Sequence, residues 1–183
     1  MKLFLIRHTS VAIEPGICYG QSDVPPASSF ETEKAAIQQK LEGCSFDRVY
    51  CSPLQRCRKL AEFLFPDTEI VFDDRLKELD FGKWENQSWN QIYQSEEGKK
   101  WFNDYFHQAC PGGESYDELL KRIRNFFAEI NSSETGNICI VTHGGPLKII
   151  KALAEKCSVE KIFNSFNPAY GEVTEIEMAD VLS

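Results

Sequence analysis

At 183 residues, 42% hydrophobic and 26% charged, the chain has the composition of an ordinary globular protein and the length of one domain that can bury a core without staples. A formal net charge of −8 argues against a nucleic-acid partner, whose docking surface would be basic, yet it allows a small anion, because a few arginines in one cleft reverse the sign locally. Arg7 interrupts the N-terminal apolar run before it could act as a secretory signal, and no segment reaches the ~18–20 apolar residues of a membrane span.

We therefore expect a cytoplasmic protein with no membrane partner. The seven cysteines are odd in number and lack C-x-x-C spacing, so they read as free thiols rather than a disulfide framework. The oligomeric state is left open, and a homodimer is compatible with these totals.

Short β-rich runs alternate with helical periodicity, as in βαβ units, and no repeat or linker interrupts them. K-L-F-L-I (2–6) reads as a first strand that stops at Arg7-His8. Residues 31–43 read as a helix closing on Gly43, and 47–52 as a second strand. Ser52 suits an N-cap and Pro53 the first position of the next helix, whose Leu54, Cys57, Leu60, Ala61 and Leu64 share a face. E-I-V-F (69–72) is a third strand leading into a loop over 73–85.

Residues 82–115 hold all three tryptophans with Tyr93, Phe102, Tyr105 and Phe106. We read this segment as a small helical cap partly lining a pocket, with Trp101, Phe102, Tyr105 and Phe106 on one helical face. Ser115 and Glu118 make a capping box for a helix over 115–130. I-C-I-V-T (138–142) is apolar throughout, the mark of a central parallel strand buried on both faces. A helix follows directly at His143-Gly144-Gly145, and 172–178 alternate as a last strand. The fold expected is α/β, a three-layer sandwich with a mostly parallel sheet flanked by helices, one domain over 1–183 with 82–115 as its cap.

Three strand ends carry reactive residues: Arg7-His8, then Arg56, then His143. Glu78 lies in the loop after the third strand. Open α/β sheets bind ligands outside the carboxyl ends of their strands, so these residues should converge. Two guanidiniums suit phosphate oxygens bidentately, and helix N-termini at Pro53 and Gly144-Gly145 would add backbone N–H groups. A neutral imidazole can attack phosphorus without a metal. The second, if protonated, would stabilise charge, and a carboxylic acid would protonate the leaving alkoxide. Residue chemistry alone does not say which histidine attacks. No P-loop, dinucleotide fingerprint, metal-ligand spacing or G-x-S-x-G elbow is present, so we expect no metal and no cofactor.

The motifs L-I-R-H-T, S-P-L-Q-R-C, L-K-E-L-D-F-G-K-W-E, P-G-G-E-S and V-T-H-G-G, in this order from Leu5 to Gly145, resemble the histidine phosphatase (phosphoglycerate mutase-like) superfamily. The resemblance implies a phosphoglycerate mutase-like fold and a phosphohistidine on His8. It also implies a phosphate pocket of Arg7, Arg56 and His143, with Glu78 as proton donor. Within the superfamily, R-H-T followed by G-I-C-Y-G-Q-S-D-V-P is most similar to α-ribazole phosphatases, which act in cobalamin nucleotide-loop assembly. A small phosphorylated substrate is implied, with Ser10, Tyr19, Gly20 and Gly144 among its contacts.

Thr9 stands where the superfamily commonly has Gly, and Ala12-Ile13-Glu14 replace a common Asn, so one phosphate contact should be missing or supplied by Ser10. The mutases' long insertion before the second histidine is lacking, which favours hydrolysis over phosphoryl return. The alternatives are a phosphoglycerate mutase-like transferase, a broad-specificity phosphatase and a non-catalytic phospho-ligand binding domain. Asp80 and Glu85 rival Glu78 as proton donor. Arg58 should face away from Arg56, His107 lies in the cap next to no motif and should take no part in the site, and Glu114-Ser115 either touch substrate or cap a helix.

Overall fold

Near-continuous apolar strands have no solvent face, and the sheet shows why. In a computed structural model, which describes residues 2–133 and 136–177, strands β1 (Lys2–Arg7), β2 (Arg48–Cys51), β3 (Ile70–Phe72), β4 (Asn137–Thr142) and β5 (Val173–Glu177) form one sheet. Their order is β3-β2-β4-β1-β5. All neighbours are parallel except β1 and β5.

Alternate residues of the inner strands feed two cores. Leu3, Leu5, Ile138 and Ile140 pack with Leu119, Ile123 and Phe126 of α5 (Tyr116–Ser133) and Leu147 and Ile150 of α6 (Gly144–Ala154). Phe4, Ile6, Val49, Cys139 and Val141 point the other way, onto Ile37 of α1 (Phe30–Lys40) and Cys57, Leu60 and Ala61 of α2 (Gln55–Leu64). The sandwich has three layers, as the sequence implies. Met178, placed in the last strand by its alternation, lies outside the described residues.

Three local expectations are corrected. Helix α2 starts at Gln55 with Leu54 as N-cap, so neither Ser52 nor Pro53 opens it. The Gln55 N–H donates to Asp23 Oδ1 at 2.7 Å, so this helix end is already occupied by a carboxylate. In the cap, α3 (Trp89–Gln94) and α4 (Glu96–Asn103) are short, and α4 ends before Tyr105 and Phe106. Those two rings lie in the following turn: Tyr105 meets both Trp101 and Tyr116, whereas Phe106 packs on Tyr116 and Phe163. The sequence reading also passed over α7 (Val159–Ser165), whose seven residues are too few for a periodic pattern.

The Ser115–Glu118 capping box is present, with Ser115 N donating to Glu118 Oε2 at 2.8 Å and Glu118 N to Ser115 Oγ at 3.3 Å. All seven cysteines are unbridged. Among the described residues no helix is long and apolar enough to cross a membrane.

Ile140 sits at the centre of β4 with no exposed surface. Ile140→Ala should lower the free energy of unfolding by about 2–5 kcal/mol in urea titration, through lost burial plus an uncollapsed cavity.

Candidate active site

The strand order brings the ends of β2, β4 and β1 side by side. The register keeps them level, pairing Arg7 with Thr142 and Cys51 with Val141. His8 and His143 each follow immediately on a strand, and Arg56 lies in the first turn of α2. The two imidazoles, 135 positions apart in the sequence, meet with ring centroids 5.0 Å apart, and both are buried.

 Distance along the chain is no obstacle here, because both histidines leave from neighbouring strands of one sheet.

Hydrogen bonds assign the tautomers. His8 Nδ1 donates to the Thr9 carbonyl at 2.7 Å, which leaves the lone pair on Nε2. His143 Nδ1 accepts from Arg56 Nε at 3.3 Å, so its Nε2–H donates to Ser52 Oγ at 2.8 Å. Ser52 is thus the support of His143 and not a helix cap.

Arg56 is fully buried, and its contacts are carbonyls, a ring nitrogen and an aromatic face, with no carboxylate among the described residues. Nη1 donates to Ser22 O at 2.9 Å and Nη2 to Gly20 O at 2.6 Å. Of the five N–H donors of a guanidinium, these contacts take three. Arg7 stacks on the Tyr170 ring, 4.1 Å from its centroid, and donates from Nη1 to Pro168 O at 2.7 Å. Its Nε is buried without a partner, as is Thr9 Oγ1. Buried cations with spare donors and no counter-charge are costly unless an anion completes them. The arrangement can hold a phosphoryl group.

Glu78 Oε1 accepts from its neighbour Leu79 N at 2.9 Å and Oε2 from Gly145 N at 3.2 Å, at the start of α6. A Cβ at Gly145 would strike the Glu78 carboxylate, so the second glycine of the H-G-G run is required by this approach. Gly144 is less demanding: a Cβ there would only touch the Arg7 guanidinium. The rival acids are otherwise engaged. Asp80 Oδ1 accepts from Gly82 N, closing a turn. Glu85 accepts from Gln21 N, Ser22 N, Ser22 Oγ and Phe81 N, and so holds the loop whose carbonyls receive Arg56.

Tyr19 packs on Arg56, and its hydroxyl lies 2.8 Å from that of Tyr170, so a pair of tyrosines links the two arginines. Gly20 is placed by its carbonyl bond to Arg56. Ser10 lies further out, its N–H donating to Glu33 and its side chain lining an outer hollow. Arg58 is exposed near Glu62, and exposed His107 pairs with Asp117. Tyr170 escapes the sequence reading, which holds no signal for it; Ser52 is read there only as a helix cap and Gly145 only as an N-terminal backbone donor, not as the support of His143 and the neighbour of Glu78. No group of three or more His, Cys, Asp or Glu among the described residues could hold a metal ion.

Burial, and next the charge of Arg56, hold both site histidines well below the ordinary 6.5. Both are neutral in the free protein, so the protonation that would let the second histidine stabilise charge is not in place there. As pH falls below about 6.5 the unfolded chain takes up protons that the folded chain refuses, so stability present above that pH is lost below it. The loss should approach about 1.4 kcal/mol per pH unit for each histidine. Urea midpoints between pH 7.5 and 5.5 should fall, with a shallower slope in His8→Gln; His107→Gln as background removes an exposed group that titrates in the opposite sense.

Residues 3–181 match the histidine phosphatase superfamily (branch 1). The adenosylcobalamin/alpha-ribazole phosphatase of Escherichia coli is 30% identical over 83% of this chain and 78% of its own. A relative from Hydrogenobacter thermophilus with the provisional name phosphoserine phosphatase 2 is 30% identical over 97% of this chain and 89% of its own. The crystal structure of the alpha-ribazole phosphatase from Shigella flexneri superposes with a TM-score of 0.90 at 27% identity, covering 97% of this chain and 90% of that one. The chain belongs to the histidine phosphatase superfamily and is a phosphatase hydrolase.

Proposed function

We propose that the protein hydrolyses a phosphomonoester through a phosphohistidine on His8. Nε2 of His8 attacks phosphorus, Arg7 and Arg56 bind the transferring oxygens, and His143 orders the pocket beside them. Glu78 gives its proton to the leaving alkoxide and then takes one from the water that releases phosphate. The observation that carries this reading is the lone pair on a buried, neutral imidazole beside two arginines with no carboxylate partner among the described residues. Replacing His8 by Ala should lower kcat/KM at least ~10³-fold on p-nitrophenyl phosphate, since nucleophile removal acts on the whole catalytic unit. Rapid quench of the native enzyme with labelled substrate should trap an acid-labile, alkali-stable adduct. Full activity with no adduct would reject the mechanism.

For the substrate we propose α-ribazole 5′-phosphate, within cobalamin nucleotide-loop assembly. A hollow of about 160 Å³ beside Glu78 is walled by Ile17, Tyr19, Phe81 and Trp89, on the side where a leaving group must receive its proton. It shares Ile17, Tyr19 and Trp89 with an outer hollow of about 490 Å³. Two adjoining, aromatic-walled spaces suit a sugar followed by a flat base. The names of the two alpha-ribazole phosphatases above support the same choice.

Phosphoserine is the second reading. It is favoured by the Hydrogenobacter relative and by Lys148, a half-buried cation on α6 within electrostatic reach of Arg7 and Glu78 that could receive a carboxylate. Ranking phosphate monoesters by kcat/KM separates the two. α-Ribazole 5′-phosphate should lead, and Trp89→Ala should cost it about 1–2 kcal/mol of transition-state binding while sparing p-nitrophenyl phosphate. Phosphoserine in first place would overturn the choice, as would isomerised product in place of free phosphate.

A further inference from the structure

The loop that carries Glu78 follows a three-residue edge strand and holds only two single 3-10 turns, Asp74–Leu76 and Gly82–Trp84. Regular structure does not fix the carboxyl within it. The loop backbone is held instead through its carbonyls, by Thr142 Oγ1 at Leu76 O (2.6 Å), by Gln21 Nε2 at Glu78 O (3.0 Å) and, at three carbonyls, by one guanidinium. Arg122 projects from α5 with its side chain 17% exposed, and its Nη1 donates to the carbonyls of Arg75 and Lys77. Its Nη2 donates to the carbonyl of Glu78 itself at 2.8 Å. The other donors close on Glu114: Nε to Oε1 at 2.7 Å and Nη2 to Oε2 at 2.9 Å. Glu114 then reaches the far side of the loop, its Oε2 accepting from Asp80 N at 3.1 Å and its own N–H donating to Asp80 O at 2.8 Å. Residue 78 is therefore gripped from both directions by one ion pair.

We propose that Arg122, locked by Glu114, is a positioning residue for the proton donor Glu78. A planar fork is needed, because three carbonyls and a bidentate carboxylate lie around a single head group. Lysine offers a point charge and cannot span them. When this grip loosens, the Glu78 carboxyl loses its register against Gly145 N, where the present contact is already long at 3.2 Å. The phosphate pocket is spared, because Arg7 and Arg56 are held by other contacts.

The inference rests on Glu78 being the proton donor, and the test separates the two claims. kcat/KM reports the steps up to the first phosphoryl transfer. It should be measured on p-nitrophenyl phosphate, whose leaving group needs little protonation, and on an alkyl phosphate, whose leaving group needs it fully. Glu78→Gln is the reference: equal losses on both substrates would remove Glu78 from the role and the inference with it. If Glu78→Gln is selective, Arg122→Lys and Glu114→Gln should be selective too. The expected loss is on the order of 10–10² on the alkyl ester and within about threefold on the aryl ester, as misplacement of a general acid predicts.

Inorganic phosphate affinity should stay within about twofold, because its ligands are not moved. Combined with Glu78→Gln, Arg122→Lys should add little further selectivity. Equal losses on both esters, a parallel fall in phosphate affinity, or failure of both variants to fold would make Arg122 a residue of the fold and overturn the proposal.

Discussion

A guanidinium buried without a carboxylate is the constraint on which the site depends. Arg56 has no exposed surface and, among the described residues, is coordinated only by neutral groups, in a protein whose formal charge is −8. The chain has acids to spare, and none among the described residues pairs with this arginine. Glu85 meets the loop that Arg56 touches, yet its oxygens are committed to Gln21 N, Ser22 N and Ser22 Oγ there and to Phe81 N. The carboxylate shapes the cradle without neutralising it, and the positive charge is kept for a ligand.

The same charge sets the state of the histidines. With Arg56 beside them and water excluded, both imidazoles are neutral, and the bond from His8 Nδ1 to Thr9 O leaves Nε2 free to act. Geometry contributes the rest. Parallel strands in level register deliver two rings and a guanidinium to one point from residues far apart in the chain. The acid arrives from a loop, and needs a glycine at 145 to come close.

Much of the architecture was legible in the sequence because strands buried on both faces must be apolar throughout. L-F-L-I and I-C-I-V read as such strands by their shortness and β-branched content, and their C-terminal ends marked where chemistry would gather. The convergence of Arg7, His8, Arg56, Glu78 and His143 followed from that rule, whereas the choice of His8 as nucleophile came from family resemblance. Features that depend on which side chain meets which across the fold were not legible. Ser52 has the local pattern of a helix cap, but His143 recruits it, 91 positions away. Tyr170 sits in a loop with no periodic signal and is placed on Arg7 only by the return of the chain into β5. The cap aromatics have helical spacing, but α4 ends at Asn103, and Phe106 packs on Tyr116 and Phe163 instead of joining Trp101.

The most direct test of the account is the dependence of thermal stability on inorganic phosphate in the native protein and in Arg56→Met. If a phosphoryl group completes the buried charge, the native midpoint should climb with the logarithm of phosphate concentration, while that of the variant stays flat. Equal phosphate-dependent shifts in the two proteins would contradict it.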